Sequence, residues 1–282
     1  MDLESALRFC GGAARADRLL EIGVSASALR AGRRAGLVVS RGTFALPEAH
    51  PVLATAVRLG GVASHGSAAA LHGWGTWRED PTIHVTVPSG SRLHEPGVRI
   101  HRAGLLRTDV DTFRPLTSPL RTVVDCARTM RLVDAVIVLD AAVHSGRVKL
   151  GSLRAAADAA RGFGSAALRQ AVAFVDELAA SPMESVLRVL VSVLNCEVRS
   201  QVHIPGVGDV DLVLDGWLAL EADGFAFHSD RRAYRKDRER ANELVGQRYV
   251  LLRFTWEDLD RRRGWVLDQI ANVLAAGPPQ GR

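Results

Sequence analysis

Two apolar runs joined by an Asp-Gly pair constrain this chain more than any other stretch of its sequence. Val210-Asp211-Leu212-Val213-Leu214 and Trp217-Leu218-Ala219-Leu220-Glu221-Ala222 flank Asp215-Gly216. Asp-Gly between such runs is a hairpin signal, because both residues accept the positive φ of a tight turn. Continuous apolar runs of this length read as buried strands. Glu197–His203 and Tyr249–Phe254 read as two more. An acid set into a buried strand needs a partner, so Glu221, following Trp217-Leu218-Ala219-Leu220, draws attention to the hairpin as a site.

The register decides which acids meet. A two-residue turn pairs Leu214 with Trp217 and leaves Asp211 and Glu221 on opposite faces. A three-residue loop, Leu214-Asp215-Gly216, pairs Val213 with Trp217 and Asp211 with Ala219, so that Asp211 shares the face of Glu221. A bulge restores the same parity. Side chains alternate along a strand, so Glu221 and Asp223 also share a face. Carboxylates from adjacent strands can hold one divalent cation, magnesium or manganese, through oxygen. Such an ion activates water and offsets charge on a phosphodiester. The competing reading is that these acids end strands and turns in solvent.

The flanking segments carry structural and electrostatic signals. Ser181-Pro182-Met183-Glu184 opens a helix whose Met183, Val186, Leu187, Leu190 and Leu194 form an apolar stripe. Glu184, three residues after Ser181, fits a capping box bonding back to the Ser181 N–H, with a metal-shell role as the alternative. Asp230 to Arg240 holds six basic and three acidic residues; Arg231, Arg235 and Lys236 there are candidate phosphate contacts. The competing reading is an exposed helix with i,i+4 charge pairs. Leu259, Trp265, Val266, Ile270 and Val273 read as a packed final helix.

The N-terminal segment has a different pattern. Helical residues 14–21 are broken at Gly23, and Ser25 caps a helix over 26–35 that ends at Gly36. Leu37-Val38-Val39 and Thr43-Phe44-Ala45-Leu46, joined by Ser40-Arg41-Gly42, read as a hairpin. Helix-turn-helix followed by a two-stranded wing is a DNA-reading arrangement whose third helix enters the major groove. Ser27, Arg30, Arg33 and Arg34 are its candidate DNA contacts, with Arg41 at the wing tip on phosphate. A small helical domain with solvated arginines is the plainer reading.

Between these segments, Thr82–Pro88 and Val98–His101 alternate like half-buried strands, and 133–143, 153–160 and 166–178 read as helices after a Ser118-Pro119 start. His65 and His72 stand two helical turns apart, too far to share one metal without a third group, and read as structural. Composition sets the outer limits. The 282 residues exceed a single typical domain. Lys+Arg exceed Asp+Glu, 36 against 31, which favours nucleic acid over acidic partners. Three scattered cysteines give no disulfide framework or zinc spacing. No apolar run is of membrane-spanning length, and Met1-Asp2-Leu3-Glu4 lacks the basic start of a signal peptide. A cytoplasmic protein is expected.

Two resemblances sharpen this reading. Arg41-Gly42-Thr43-Phe44-Ala45-Leu46-Pro47, Ser64-His65-Gly66-Ser67-Ala68-Ala69, Ile83-His84-Val85-Thr86-Val87 and Ser118-Pro119-Leu120-Arg121-Thr122 resemble the N-terminal region of AbiEi-type antitoxins of type IV toxin–antitoxin systems. That implies a winged-helix DNA binder, often a repressor, with any toxin a separate chain. Glu184, Gln201, Val210-Asp211, Leu220-Glu221-Ala222-Asp223-Gly224-Phe225, His228, Asp237-Arg238 and Leu252-Arg253-Phe254-Thr255-Trp256 resemble the Vsr-like endonuclease domain of the PD-(D/E)XK superfamily. It implies magnesium-dependent DNA cleavage with Asp211 and Glu221 as metal carboxylates, Asp223 where the superfamily has lysine, and His228 assisting catalysis; Glu184 and Asp237 are accessory candidates. The missing lysine leaves His228 as candidate base or the centre catalytically weak. The expected architecture is α+β: a winged helix-turn-helix over residues 1–50, an α/β middle region over 51–178, and a restriction-endonuclease-like mixed sheet flanked by helices over 179–282. The expected function is a double-stranded-DNA-binding protein with a magnesium-dependent endonuclease-like domain. The alternative is a non-catalytic regulator or antitoxin-like protein using a degenerate nuclease fold as scaffold.

Overall fold

The computed structural model describes residues 1–40, 42–223 and 231–279, with the side chains of all of these except Val39, Arg231, Arg232, Ala233, Tyr234 and Asp237. Asp2 opens the chain by accepting the Ser5 N–H at 2.9 Å, which caps α1 (Leu3–Phe9). Ala14 and Arg15, the start of the helix expected over 14–21, instead belong to β1 (Ala13–Arg15), and α2 (Ala16–Glu21) starts after it. The reason is tertiary: Ala13, Ala14 and Arg15 pair antiparallel with Ala45, Phe44 and Thr43, and pairing outweighs alanine's helix propensity. Ser25 Oγ accepts the Ala28 N–H and caps α3 (Ala26–Arg34), as its position predicts. Gly36, at φ 78°, takes the chain out of the helix. β2 (Val38–Ser40) and β3 (Thr43–Ala45) complete a sheet of order β1-β3-β2. Leu3, Leu7, Leu19, Leu29 and Phe44 fill its core. Gly32 lets α3 lie against α1; a Cβ there would stand 2.1 Å from Leu3 Cδ2.

The chain continues through α4 (Pro51–Arg58), β4 (Val62–Ala63), α5 (His65–Leu71), β5 (Ile83–Val87) and β6 (Val98–Arg102). These strands form a sheet of order β4-β5-β6 in which β5 and β6 run parallel. Pro119 begins α6 (Pro119–Thr129), followed by α7 (Leu132–His144), α8 (Leu150–Ala159) and α9 (Ser165–Ala173). The last helix stops at Ala173 and not at 178, because the Asp176 N–H turns to Asp140 Oδ1 (2.9 Å) and Arg188 Nη1 takes the Phe174 carbonyl. Asp140 is buried and also accepts from Ser185 Oγ (2.6 Å) and Arg188 Nη2 (2.5 Å). α7 is thereby pinned to the next helix, α10 (Pro182–Val191).

Beyond α10 come β7 (Val198–Ile204), β8 (Gly208–Leu214), β9 (Leu218–Asp223), α11 (Arg231–Gly246), β10 (Val250–Thr255), α12 (Trp256–Arg261) and α13 (Arg263–Ala276). The sheet order is β10-β9-β8-β7; β10 runs parallel to β9, and the other pairs are antiparallel. Leu212, Leu214, Leu218, Leu220 and Phe254 pack with Met183, Val186 and Leu187 of α10, Leu259 of α12 and Val266 and Ile270 of α13. On the other face, Val213 and Ala219 meet Leu244 of α11. Trp265, expected in the packed face of the last helix, is 39% exposed, with the Arg262 guanidinium 4.0 Å above its ring. Trp77 stacks on Trp256 with centroids 5.5 Å apart, and its Nε1 donates to Asp260 at 2.8 Å. The fold is thus α+β with mixed sheets and flanking helices. Among the described residues, no helix is long and apolar enough to cross a membrane.

Candidate functional site

The β8–β9 hairpin sets the site. Asp215 and Gly216 have φ of 46° and 76°, and the Trp217 N–H closes the turn on the Leu214 carbonyl at 3.0 Å. Yet Leu214 pairs with Leu218, Val213 with Ala219 and Leu212 with Leu220. Neither expected loop, pairing Leu214 or Val213 with Trp217, is present. Trp217 is an extra residue on the second strand, and it restores the parity that puts Asp211 on the face of Glu221. Continued by one residue, the register sets Asp211 opposite Glu221 and not opposite Ala219.

The neighbouring strands extend this pair into a row. Arg253 of β10 pairs with Glu221. On the other side, Ser200 pairs with Leu212 and Val202 with Val210, so Gln201 stands opposite Asp211. Gln201 has φ 49°, and the strand ladder opens at this point. On the β9 side, Asp211 Oδ2 accepts the Ala222 N–H at 2.8 Å. Gln201 Nε2 donates to Glu184 Oε2 at 2.7 Å and lies 3.5 Å from Asp211 Oδ1. Glu184, 8% exposed, takes the N–H of Ala180 and not that of Ser181. Ser181 does cap α10, its Oγ accepting the Glu184 N–H. The expected capping box is therefore displaced by one residue, and the displaced carboxylate is brought to Gln201.

Glu221 is 5% exposed, and burial pushes its carboxyl above the ordinary range. The guanidiniums of Arg240 and Arg253 oppose that shift, and Asp211 and Asp223 add to it. Arg240 Nη2 lies 2.8 Å from Glu221 Oε1 without a hydrogen bond along that line; the same nitrogen donates to the Asp209 carbonyl. Oε1 is thus a buried oxygen with a cation beside it and, among the described residues, no N–H or O–H aimed at it. Burial also raises Asp211, opposed chiefly by the Ala222 N–H, with Glu184 adding to the rise. Asp223 is half-buried and forked by Arg253, Nε to Oδ2 at 2.8 Å and Nη2 to Oδ1 at 2.9 Å.

The residues present fit magnesium in one respect. Magnesium is commonly held by one or two carboxylates, with water and substrate phosphate completing its shell; Asp211 and Glu221, opposed on neighbouring strands, would be those carboxylates. Arg240 now stands where the ion's charge would act, and Asp223 is committed to Arg253. Among the described residues, the acids do not gather into a group of three within one ion's reach. Among the same described residues, the one group of His, Cys, Asp or Glu side chains that does is His65, His84 and His101. The expected separation of His65 from His72 holds, with His72 Nε2 on the Thr117 carbonyl at 2.9 Å. The partners of His65 lie on β5 and β6. Arg240, one of a run of arginines with no local pattern to single it out, is the other group missed.

Ser27, Arg30, Arg33 and Arg34 are all exposed on α3, while Leu29 and Gly32 turn to the core. Among the described residues, none of these three arginines forms an ion pair. Arg235 and Lys236 are exposed on α11, the helix that carries Arg240 to Glu221. Arg41 and His228 lie outside the described residues, as do the side chains of Arg231 and Asp237.

No family model matches this chain. It is similar to two proteins of Mycobacterium tuberculosis, the uncharacterized proteins MT2308 (strain CDC 1551 / Oshkosh) and Rv2248 (strain ATCC 25618 / H37Rv). Each is 29% identical over 221 residues, spanning 76% of this chain and 81% of the relative. Among solved structures, the crystal structure of the RV2827C protein from Mycobacterium tuberculosis covers 66% of this chain and 79% of its own, at 20% identity and a TM-score of 0.32.

Proposed function

We propose that this chain is a DNA-binding protein whose C-terminal α+β unit hydrolyses phosphodiesters with magnesium. The observation that carries this reading is the row Gln201, Asp211, Glu221, Arg253 across the four-stranded sheet, with two carboxyls raised by burial and, among the described residues, no hydrogen bond to Glu221 Oε1. Burying acids side by side costs stability, and a bound cation offsets that cost.

The N-terminal order α1-β1-α2-α3-β2-β3, with sheet order β1-β3-β2, supports reading residues 1–50 as a winged helix. In that reading α3 enters the major groove, with Arg30, Arg33 and Arg34 meeting phosphates or base edges. Asp211 and Glu221 hold the cation through oxygen, with Asp211 aimed by the Ala222 N–H and Gln201. When bound, magnesium supplies Lewis-acid stabilisation of charge on the phosphodiester. Arg240, released from Glu221, is the candidate phosphate contact beside the row, and Arg235 and Lys236 are further candidates exposed on the same helix. His228 is the candidate base.

A second reading has its own observation. Arg240 and Arg253 already offset Glu221 and Asp223, as expected of a nuclease fold retained as a scaffold. The chain is then a non-catalytic regulator, or an antitoxin-like DNA binder with a separate toxin partner. Plasmid incubated with magnesium or manganese separates the two. Hydrolysis by the wild-type chain that Asp211→Ala abolishes supports the enzyme. Salt-dependent DNA binding with equal, background plasmid loss from both proteins supports the scaffold.

A further inference from the structure

The middle sheet holds a second constellation, unrelated to the acidic row. His84 lies on β5 and His101 on β6, each within a parallel register that pairs His84 with Arg99 and Thr86 with His101. The two histidines therefore project diagonally from the same face. His65 follows β4 at the first position of α5 and enters the same space. His65 and His84 are buried, His101 is half-buried, and one ring nitrogen from each of the three lies within 4.8 Å of the other two. His101 Nε2 and His84 Nδ1 are 3.2 Å apart. A tetrahedral zinc with nitrogens at ~2.0–2.1 Å sets its ligand atoms about 3.3 Å from each other, so this edge of the site is already at coordination spacing.

The surroundings orient the rings as ligands. His84 Nε2 lies 3.3 Å from Asp80 Oδ2. A carboxylate behind an imidazole fixes its tautomer and leaves the other nitrogen's lone pair facing the metal; here that nitrogen is Nδ1, the one turned to His101. Ser64 precedes α5 in the capping position, yet its hydroxyl caps no backbone N–H. It lies 2.9 Å from His65 Nδ1 instead, which leaves Nε2 for the cluster. His65 also sits at φ 51°, a conformation a non-glycine residue holds at a cost and one concentrated at functional positions. A helix cap and a relaxed backbone are thus both given up to place one imidazole.

Nearby charge is compatible with a cation. Arg121 is bound to Asp109 at 3.2 Å and Asp125 at 2.9 Å, and Arg99 is exposed.

We infer that His65, His84 and His101 bind one borderline divalent transition metal of the zinc class, with Asp80 positioning His84 and Ser64 positioning His65. Three imidazoles suit zinc, cobalt or nickel over magnesium or calcium. They leave a fourth tetrahedral position for a solvent or anionic ligand, as in sites that react. His65 stacks on His101 with centroids 3.5 Å apart and planes 15° from parallel; binding turns these rings from stacked to convergent. This inference stands whether or not the acidic row binds magnesium.

The test uses the full-length chain without a histidine tag, stripped of metal by a chelator and titrated with cobalt(II), then zinc(II). One equivalent of cobalt should give the intense visible absorption of a four-coordinate ion, and zinc should displace it. His101→Ala and His84→Ala should each lower affinity at least 100-fold in chains whose circular dichroism shows them folded. Asp80 is largely exposed, so Asp80→Asn spares the fold; it should weaken binding ~10–100-fold. Asp211→Asn should bind cobalt as the wild type does. Absence of stoichiometric cobalt binding by the wild-type chain overturns the assignment. So does affinity unchanged in folded His101→Ala or in Asp80→Asn.

Discussion

Replacing Arg240 with alanine tests whether the acidic row is a cation site. Arg240 lies 2.8 Å from the buried Glu221, with side-chain exposures of 32% and 7%. Removing one partner of a fully buried pair costs ~3–5 kcal/mol. Here the guanidinium is partly in water, and Arg253 stands 3.5 Å from the other Glu221 oxygen, which brings the cost to about 1–2 kcal/mol. For a chain of this size, that is a fall in Tm of roughly 2–8 °C. Magnesium at 100 times its dissociation constant stabilises the state it binds by about 2.7 kcal/mol. In the wild type, part of that gain is spent displacing Arg240; in Arg240→Ala none is. Magnesium should therefore raise the Tm of the variant more than that of the wild type, and restore it to at least the wild-type value. The double variant Asp211→Asn/Arg240→Ala should show no recovery. Thermal unfolding followed by circular dichroism, with and without magnesium, reads all three proteins. Equal magnesium shifts in wild type and Arg240→Ala, or recovery persisting in the double variant, refute the reasoning.

Other outcomes follow from the same geometry. Burial raises the Asp211 and Glu221 carboxyls, so the folded chain holds these protons more tightly than the unfolded one. Their contribution to stability is therefore present in acid and declines as pH rises past the ordinary carboxylate range. Asp211→Asn should accordingly be more stable than wild type near neutral pH and lose that advantage in acid, as urea denaturation across pH would read. Arg30→Ala and Arg34→Ala should each weaken DNA binding and reduce the slope of log K against log salt by about 1; unchanged slopes in fluorescence anisotropy refute α3 as the DNA face. Gly32→Val forces a side chain into Leu3 and should lower stability by about 1–3 kcal/mol, seen as an earlier urea midpoint.

Much of the local structure was legible in the residues. Ser25, Pro119 and Ser181 mark helix starts at their actual positions, and the two apolar runs around Asp215-Gly216 are the central hairpin. What escaped was set by partners distant in sequence. β1 is a strand because Ala13–Arg15 pairs with Thr43–Ala45, which no local pattern of alanines announces. Glu184 accepts from the Ala180 N–H and from Gln201, across the fold, in place of the expected Ser181 N–H. The histidine group was hidden for the same reason. Sequence spacing compares His65 with His72, whereas the parallel pairing of β5 and β6 brings His84 and His101 to it. Parity at the hairpin was the useful expectation: the residues required Asp211 and Glu221 to share a face for metal chemistry, and an extra residue at the turn supplies it.

Surface hairpin tips are ordinarily where a chain best tolerates a change of length. This one is different. Deleting a single residue between Leu214 and Leu218 would slide the strands by one step and send Asp211 to the far side of the sheet, leaving Glu221 walled in beside two arginines. Homologous chains that keep the acidic row should therefore keep the length of this tip, and a chain one residue shorter there should have lost its acids as well.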